Sequence, residues 1–435
     1  MDQTAVQEGT PPQKPTVTAI QAGPPVLGST PAKEPERLAR YVLVRLADLR
    51  ITVTLFALAL VLVFWGTLAQ VDQGVWTVVQ KYFRSLLVWV PLKVVFFNCV
   101  DANLPIPYPG GWLIGGAMFI NLLAAHAIRF KLSWARSGIL LLHAGIIIMM
   151  LGELVTGLYA VEGNMFIRVG ETADTVIETG KIEFTVIRRL DAKKDQVVTI
   201  PGSMLRKADA PIEHPDLPFK VQVIEHMVNS QLIEPDKKNR IRATHGIGRQ
   251  VVAKDRPEVS GVDPNQTRDI PSAYVKLTSL KGEDLGTWLV TTHPSLEEAQ
   301  WIKVDGVQYQ IALRFKHTTR PFKMHLTKFE HKFFTGTETP KDFHSYIDLS
   351  DPETGVEGKQ VEIYMNHPLY YRGETFYQAN WLTDQNTGKS NGTVLQVVRN
   401  PGWLLPYLSC AVVGIGMLIH FGLTLYRFVD RRVIR

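Results

Sequence analysis

Four uncharged blocks stand out from an otherwise polar chain. The first, residues 51–70, has twenty residues without a formal charge. As a helix it is about 30 Å long, enough to cross the hydrocarbon core of a bilayer. The others are 109–128, 137–160, interrupted only by Glu153, and 401–426. This pattern predicts four transmembrane helices. Between the third and fourth blocks the pattern changes to short alternating runs separated by turn residues. Examples are FKVQV at 219–223, AYVKL at 273–277, VQYQIAL at 307–313, FKMHLT at 322–327 and KQVEIY at 359–364. A period of two predicts strands, and long helical periodicity is absent, so 161–400 reads as an all-β domain, a sandwich or open barrel. Pro218-Phe219-Lys220 and Pro321-Phe322-Lys323 each open a run that ends in a Glu-His pair, a faint echo of two related sheets. The polar stretch 228–271 reads as a long loop or insertion.

The expected organisation follows. Residues 1–35, rich in Pro, Thr, Gly and Ala, form a disordered tail. A membrane domain covers 36–160, with a loop at 71–108. The β domain follows, then the fourth helix, then a basic tail at 427–435. The apolar run LLVWVPLKVVFFNCV in the loop contains Pro91 and Lys93 and is expected to lie at the interface or against the bundle. Mean hydropathy is +0.02, a value typical of a soluble enzyme, because it averages membrane blocks with a polar domain.

Charge changes the picture through its position. The net charge is +6, from 47 Lys plus Arg against 41 Asp plus Glu. Lys33, Arg37, Arg40, Arg45 and Arg50 precede the first span. Arg129, Lys131 and Arg136 fill the link between spans two and three, and Arg427, Arg431, Arg432 and Arg435 follow span four. With four crossings all three groups fall on one side. By the positive-inside rule both termini are cytoplasmic and the β domain lies outside the inner membrane.

The chemistry is narrowed by what is missing. Two cysteines, Cys99 and Cys410, exclude a disulfide framework and a four-thiolate metal site. There is no C-x-x-C-H, H-E-x-x-H, P-loop or G-x-S-x-G, so no independent enzyme activity and no nucleic-acid partner is expected. Of twelve histidines, nine lie in the β domain, and His126, His143 and His420 lie in or beside membrane blocks. Ionisable side chains inside a bilayer are costly and usually functional. His143 lies six residues into span three, roughly 9 Å deep. His420 has similar depth in span four, and His126, near the end of its span, can snorkel to water. Interhelical hydrogen bonding, proton relay and axial ligation of haem iron are all open to a membrane imidazole. Gly138, Gly145 and Gly152 recur every seven residues on one stripe of span three, and His143 points about 160° away from it. Such a stripe allows a close helix contact and leaves the imidazole to another neighbour.

Several segments together resemble the ResB family of the type II haem-attachment system. They are FWGTLAQ with Gly66, Thr67 and Gln70; LLHAGIIIMMLG with His143 and Gly145; and FFTGTETPKDFHSYIDL with Gly336, Phe343 and Ser345. The last is YMNHPLYYRGETFYQ with Asn366, Pro368, Leu369, Gly373, Tyr377 and Gln378. The resemblance covers most of 40–432. It implies a subunit of a cytochrome c synthase that handles haem across the membrane and assists its attachment to apocytochrome c. It also implies a ResC/CcsA-type membrane partner, because the Trp-rich haem-binding segment of that partner is absent here. By motif, His143 is the haem ligand, with haem b bound transiently and shared with the partner. His420 is a second candidate, outside the family pattern. Thioether formation needs reduced thiols, so a separate thiol reductant acting on the apocytochrome is implied. The competing reading is a membrane-anchored β-domain scaffold that organises a complex without touching haem.

Overall fold

The computed structural model describes residues 34–433 apart from 72, 97–103, 130–132, 192–193, 207–209, 237–238, 260–268, 295–299, 337–339 and 385–389. Among the described residues four helices are long and apolar enough to cross a membrane: Leu49–Ala69, Gly111–Ile128, Trp134–Tyr159 and Leu405–Arg432. They are called spans one to four. The tail expected at 1–35 lies, up to residue 33, outside the described residues. A helix already runs over Glu34–Leu46, and a sharp corner joins it to span one. Asp48 caps span one by accepting a hydrogen bond from Arg50 N at 3.0 Å. Asn121 of span two, buried in the bundle, clamps the corner. Its Nδ2 donates to Leu46 O at 2.6 Å and Asp48 O at 3.2 Å, and its Oδ1 accepts from Thr52 at 2.6 Å. A buried amide is stable only when satisfied in this way.

The loop after span one folds onto the bundle. Helical turns at Val75–Val78 and Val79–Phe83 lead to a hairpin that pairs Leu87–Pro91 with Pro105–Pro109. Val78, Tyr82, Val88, Val90 and Val94 share a core with Leu62 and Ala69 of span one and Ile114 of span two.

The β domain lies between spans three and four and is antiparallel throughout its named pairings. Its main sheet has ten strands. The strand Val161–Arg168 begins two residues after span three and pairs with Ser390–Arg399 in the register Val161↔Arg399 to Arg168↔Gly392. The chain therefore enters and leaves the domain side by side, and this pairing continues into the contact between spans three and four. Asn400 secures the joint, accepting from Thr156 Oγ1 at 3.2 Å and from Gly402 N at 2.8 Å.

Two cores divide the domain. In one, strands from the main sheet pack against a three-stranded sheet of Phe219–Met227, Ser272–Ser279 and Asp284–Thr291, around Phe184, Phe219, Val275 and Leu313. In the other, the main sheet curls over Met165, Phe322, Met324, Leu349, Phe376 and Leu395. Two long strands, Thr172–Arg189 and Val307–Phe333, run through both lobes. Phe219 and Phe322 of the echoed motifs are each fully buried, one in each core. Phe322, however, sits inside a 27-residue strand and does not open one. Where the lobes meet, the register jumps from Phe315↔Ile182 to Lys316↔Glu178. Glu178, buried there, accepts from Lys316 at 2.8 Å and Thr318 at 2.9 Å and pairs with Lys181 at 2.9 Å. Arg314–Glu183 at 2.9 Å and Arg320–Glu374 at 2.8 Å flank it.

The stretch 228–271 is not a structureless loop in its described part. Ser230–Ile233 pairs with Val252–Asp255. Asn229 ties the stretch together, donating to Pro257 O at 2.7 Å and accepting from Ile270 N at 3.0 Å. Its polar side chains serve backbone groups, so its composition resembled that of a loop. Glu258 also accepts from Gly74 N at 3.3 Å, linking the stretch to the loop after span one.

Candidate functional site

The two faces of span three are built for different purposes. On the glycine face, Gly138, Gly145 and Gly152 are all buried against span four. A Cβ at Gly138 would stand 2.5 Å from His420 N, one at Gly145 would overlap Val413 Cγ2, and one at Gly152 would stand 2.9 Å from Leu405 Cβ. Span four reciprocates at Gly416, where a Cβ would meet Leu142 N at 2.9 Å. Ser409 Oγ, buried in this contact, donates to Gly145 O at 2.7 Å. Small residues let the backbones approach, and dispersion across the seam holds them.

His143 lies on another face. Its Nδ1 is 2.8 Å from Ile139 O. A carbonyl only accepts, so Nδ1 carries the proton and Nε2 holds the lone pair in the neutral ring. His126 of span two is arranged in the same way, with Nδ1 3.0 Å from Leu122 O. The two rings meet edge to face, with centroids 5.2 Å apart and planes at 70°. The expectation that His126 snorkels to water is thus replaced by a ring turned towards span three. That both lie toward the same end of the bundle was legible: each is within two turns of the short link at 129–136. The helix rotations that bring them together were not. His420 meets span three through its backbone at Gly138, and its ring lies 5.5 Å from Phe421. The structure does not place it against His143.

The imidazole pair offers two nitrogen donors with apolar neighbours; Leu123 and Ile146, one turn away, are exposed. Among the described residues no group of three or more His, Cys, Asp or Glu is placed to hold a metal ion. A bare ion would be under-coordinated here. Iron already held in a porphyrin needs only axial donors, and one imidazole nitrogen can supply one of them.

The motif residues of the first span shape the bundle. A Cβ at Gly66 would stand 2.8 Å from the Phe83 ring, Thr67 donates to Val63 O at 2.8 Å, and Gln70 is the C-cap. Those of the β domain gather in the lobe around Phe322. Ser345, fully buried, lies 2.6 Å from Gln378 Oε1 and 2.9 Å from Thr393 Oγ1, tying strands that are far apart in the sheet order. Phe343 stacks on Trp381 at 5.3 Å, and His331 stacks on the same indole at 5.8 Å. Asn366, at φ 64°, turns the chain so that Tyr364 and His367 stack at 4.2 Å. Pro368 follows that turn, and Leu369 packs on the core. Gly373, at φ 75°, completes the tight turn between Tyr371 and Glu374, a conformation that glycine adopts without strain. Gly336 also has positive φ, and Tyr377 is exposed. One group was not foreseen. His344 stands between Asp342 at 2.7 Å and Glu362 at 2.6 Å, and these hydrogen bonds, that to Asp342 foremost, hold its pKa above the usual imidazole range.

Comparison with known proteins bears on both regions. The model of the ResB-like family matches residues 129–193 and 285–392, which contain His143 with Gly145 and Gly336 through Gln378. Protein NrfI of Wolinella succinogenes is 23% identical over 319 residues, 70% of this chain and 29% of that protein. The cytochrome c biogenesis protein CcsB of Synechococcus sp. is 54% identical over 39 residues, 9% of this chain and 8% of that protein. The chain spans less than a third of the length of the curated relatives it matches. With four apolar helices, a large antiparallel β domain and both matched segments falling on motif residues, the chain is similar to the ResB-like family over those segments.

Proposed function

We propose that this protein works in cytochrome c maturation as the haem-handling half of a membrane complex. The carrying observation is His143, held on the non-glycine face of span three with Nδ1–H bonded to Ile139 O and Nε2 as the ligating nitrogen. Fixing a ligating imidazole through its other nitrogen sets its tautomer and raises its basicity. In this reading haem b enters near the basic end of the bundle, where Arg136, Arg427, Arg431 and Arg432 follow the positive-inside pattern. Both termini are cytoplasmic and the β domain is on the outer face. His143 and an imidazole of a ResC/CcsA-type partner hold the iron axially. The β domain shapes the chamber in which the apocytochrome thiols, kept reduced by a separate reductant, add to the haem vinyl groups. The CcsB relative, named a cytochrome c biogenesis protein, supports this reading.

The test is the spectrum of the chain co-purified with its partner. A low-spin bis-imidazole haem b spectrum is expected, lost in His143→Ala and restored by added imidazole. An unchanged spectrum in His143→Ala overturns the assignment and favours a scaffold that does not touch haem.

A further inference from the structure

The helix ahead of span one, Glu34–Leu46, carries a face that the protein leaves uncovered. We infer that this helix lies on the bilayer surface and docks on anionic lipid headgroups, with its apolar face seated among the upper acyl chains. The docking does not depend on haem.

The pattern of side chains defines the face. At 100° per residue, Leu38, Val42, Leu46, Ala39 and Leu43 fill one sector about 140° wide. Arg45 stands just beyond one border of that sector and Arg40 beyond the other. Every side chain from Leu38 to Arg45 is exposed, Leu38 at 65%. In a soluble domain such a stripe turns inward to the core. Here the chain that follows decides what covers it. Ala47 is buried, Asp48 is extended at φ −71° and ψ 129°, and Leu49 is already the first residue of span one. Asn121 of span two pins this corner through Leu46 O and Asp48 O. The helix thus ends where a span begins, so its last turn stands at headgroup depth. An amphipathic helix that starts from that depth covers its apolar face by lying flat in the interface.

Charge then selects the lipid. From Leu38 to Arg50 the formal charges are Arg40, Arg45 and Arg50 against Asp48. The Asp48 carboxylate is turned to its own cap, accepting from Arg50 N. The acids Glu34 and Glu36 belong to the opposite end of the helix. Arg45 is braced beside Tyr41: its Nε donates to the Tyr41 hydroxyl at 3.2 Å, and its guanidinium carbon lies 5.2 Å from the ring centroid. Arginines at the border of an apolar sector lay their stems along it and lift the guanidinium to the headgroups. There the planar fork meets phosphate oxygens, and a net negative surface holds the excess of positive charge.

The experiment uses the full chain in lipid nanodiscs, single Val42→Cys and Val44→Cys variants, and a membrane-impermeant maleimide. Val42 lies in the apolar sector and Val44 about 200° round the helix. In the protein itself the two are equally open, at 45% and 47%. Labelling is read at each peptide by mass spectrometry, so Cys99 and Cys410 stay in place. In nanodiscs of phosphatidylcholine and phosphatidylglycerol mixed equally, Val42→Cys is expected to label roughly tenfold more slowly than Val44→Cys, because the apolar face sinks about 5–10 Å. A negative surface slows thiolate formation at both positions alike, so the ratio reports seating alone. In phosphatidylcholine by itself the ratio should fall below about threefold, and the double substitution Arg40→Gln with Arg45→Gln should lower it as far in the mixed lipid. Both arginines are exposed, so their replacement spares the fold. Equal labelling at the two positions in mixed lipid overturns the inference. So does a ratio that is as large in phosphatidylcholine alone or that survives the loss of both arginines, since charge then does not select the lipid. A ratio that appears only when a partner protein is added also overturns it, because the face then belongs to that protein. The haem spectrum tests the proposed function separately and is untouched by any of these results.

Discussion

The two contacts of span three are opposites. Against span four it presents glycine at every seventh position, buries it, and brings backbone to backbone. Against span two it presents an imidazole edge to face with another imidazole, a contact made through side chains. A closed seam has one low-energy arrangement, because every displacement costs dispersion contacts. A seam made through side chains can yield by changes of rotamer. The β domain repeats the contrast. Ser345, Gln378 and Thr393 form a dry internal tether, whereas His344, Tyr364 and His367 form a polar stack near the surface.

The largest expected effect lies on the closed seam. Gly145→Leu drives a side chain into Val413 and against Ser409 O at 3.1 Å, with backbone on both sides. Overpacking of this kind costs about 3 kcal/mol. Thermal unfolding in detergent should show a large fall in midpoint. Gly116→Leu, made where a Cβ meets nothing within 4 Å, should leave the midpoint nearly unchanged. Equal effects from the two variants would mean that the glycine face of span three is not a tight contact.

The closed seam was legible in the sequence because a seven-residue period is local. The spans were legible for the same reason: twenty uncharged residues need no partner to be recognised. The strand Val307–Phe333 was not. Its middle holds Arg314, Lys316, His317, Thr318, Thr319 and Arg320, which break the alternation and read as an end. Of these, Arg314, Lys316 and Arg320 pair with Glu183, Glu178 and Glu374, all far away in sequence, and no local pattern announces such a carboxylate. His126 was set aside for a related reason. Sequence gives depth along a helix, but the facing of two helices depends on how each is rotated by its other neighbours. The resemblance named Ser345 and Gln378 without saying that they touch, since their contact crosses the sheet.

An intermediate effect is expected at the internal tether. Ser345→Ala leaves Gln378 and Thr393 to satisfy each other through Gln378 Nε2, 3.0 Å from Thr393 Oγ1. Losing the Ser345 hydroxyl from this site should cost about 1–3 kcal/mol. Thr67→Ala, at an exposed hydroxyl that bonds only its own helix, should cost far less. Urea or thermal midpoints of the two variants check this. A Thr67→Ala effect as large as that of Ser345→Ala would mean that burial does not separate the two motif residues.

The smallest effect tests the open side of the contrast through pH. His344 Nε2 faces Asp342 and Nδ1 faces Glu362, with Tyr364 stacked on the ring at 5.1 Å. The Asp342 hydrogen bond, then that to Glu362, raises its pKa in the folded chain. A group whose folded pKa lies above its unfolded value binds its proton more tightly when folded. Its contribution is therefore complete below the unfolded value, near 6.5, and is lost as pH rises through the raised folded value. Solvent screening at this exposed site limits it to under about 1 kcal/mol. The ring-proton resonance of His344 should titrate above the ordinary histidine range, and stability should fall slightly over the same interval. His344→Gln should remove that slope while leaving the stability of the Ser345 tether intact. If the slope persists in His344→Gln, another group titrates there. If the variant also loosens the tether, the surface stack and the interior are one cooperative unit, and the contrast between open and closed regions holds only in the membrane.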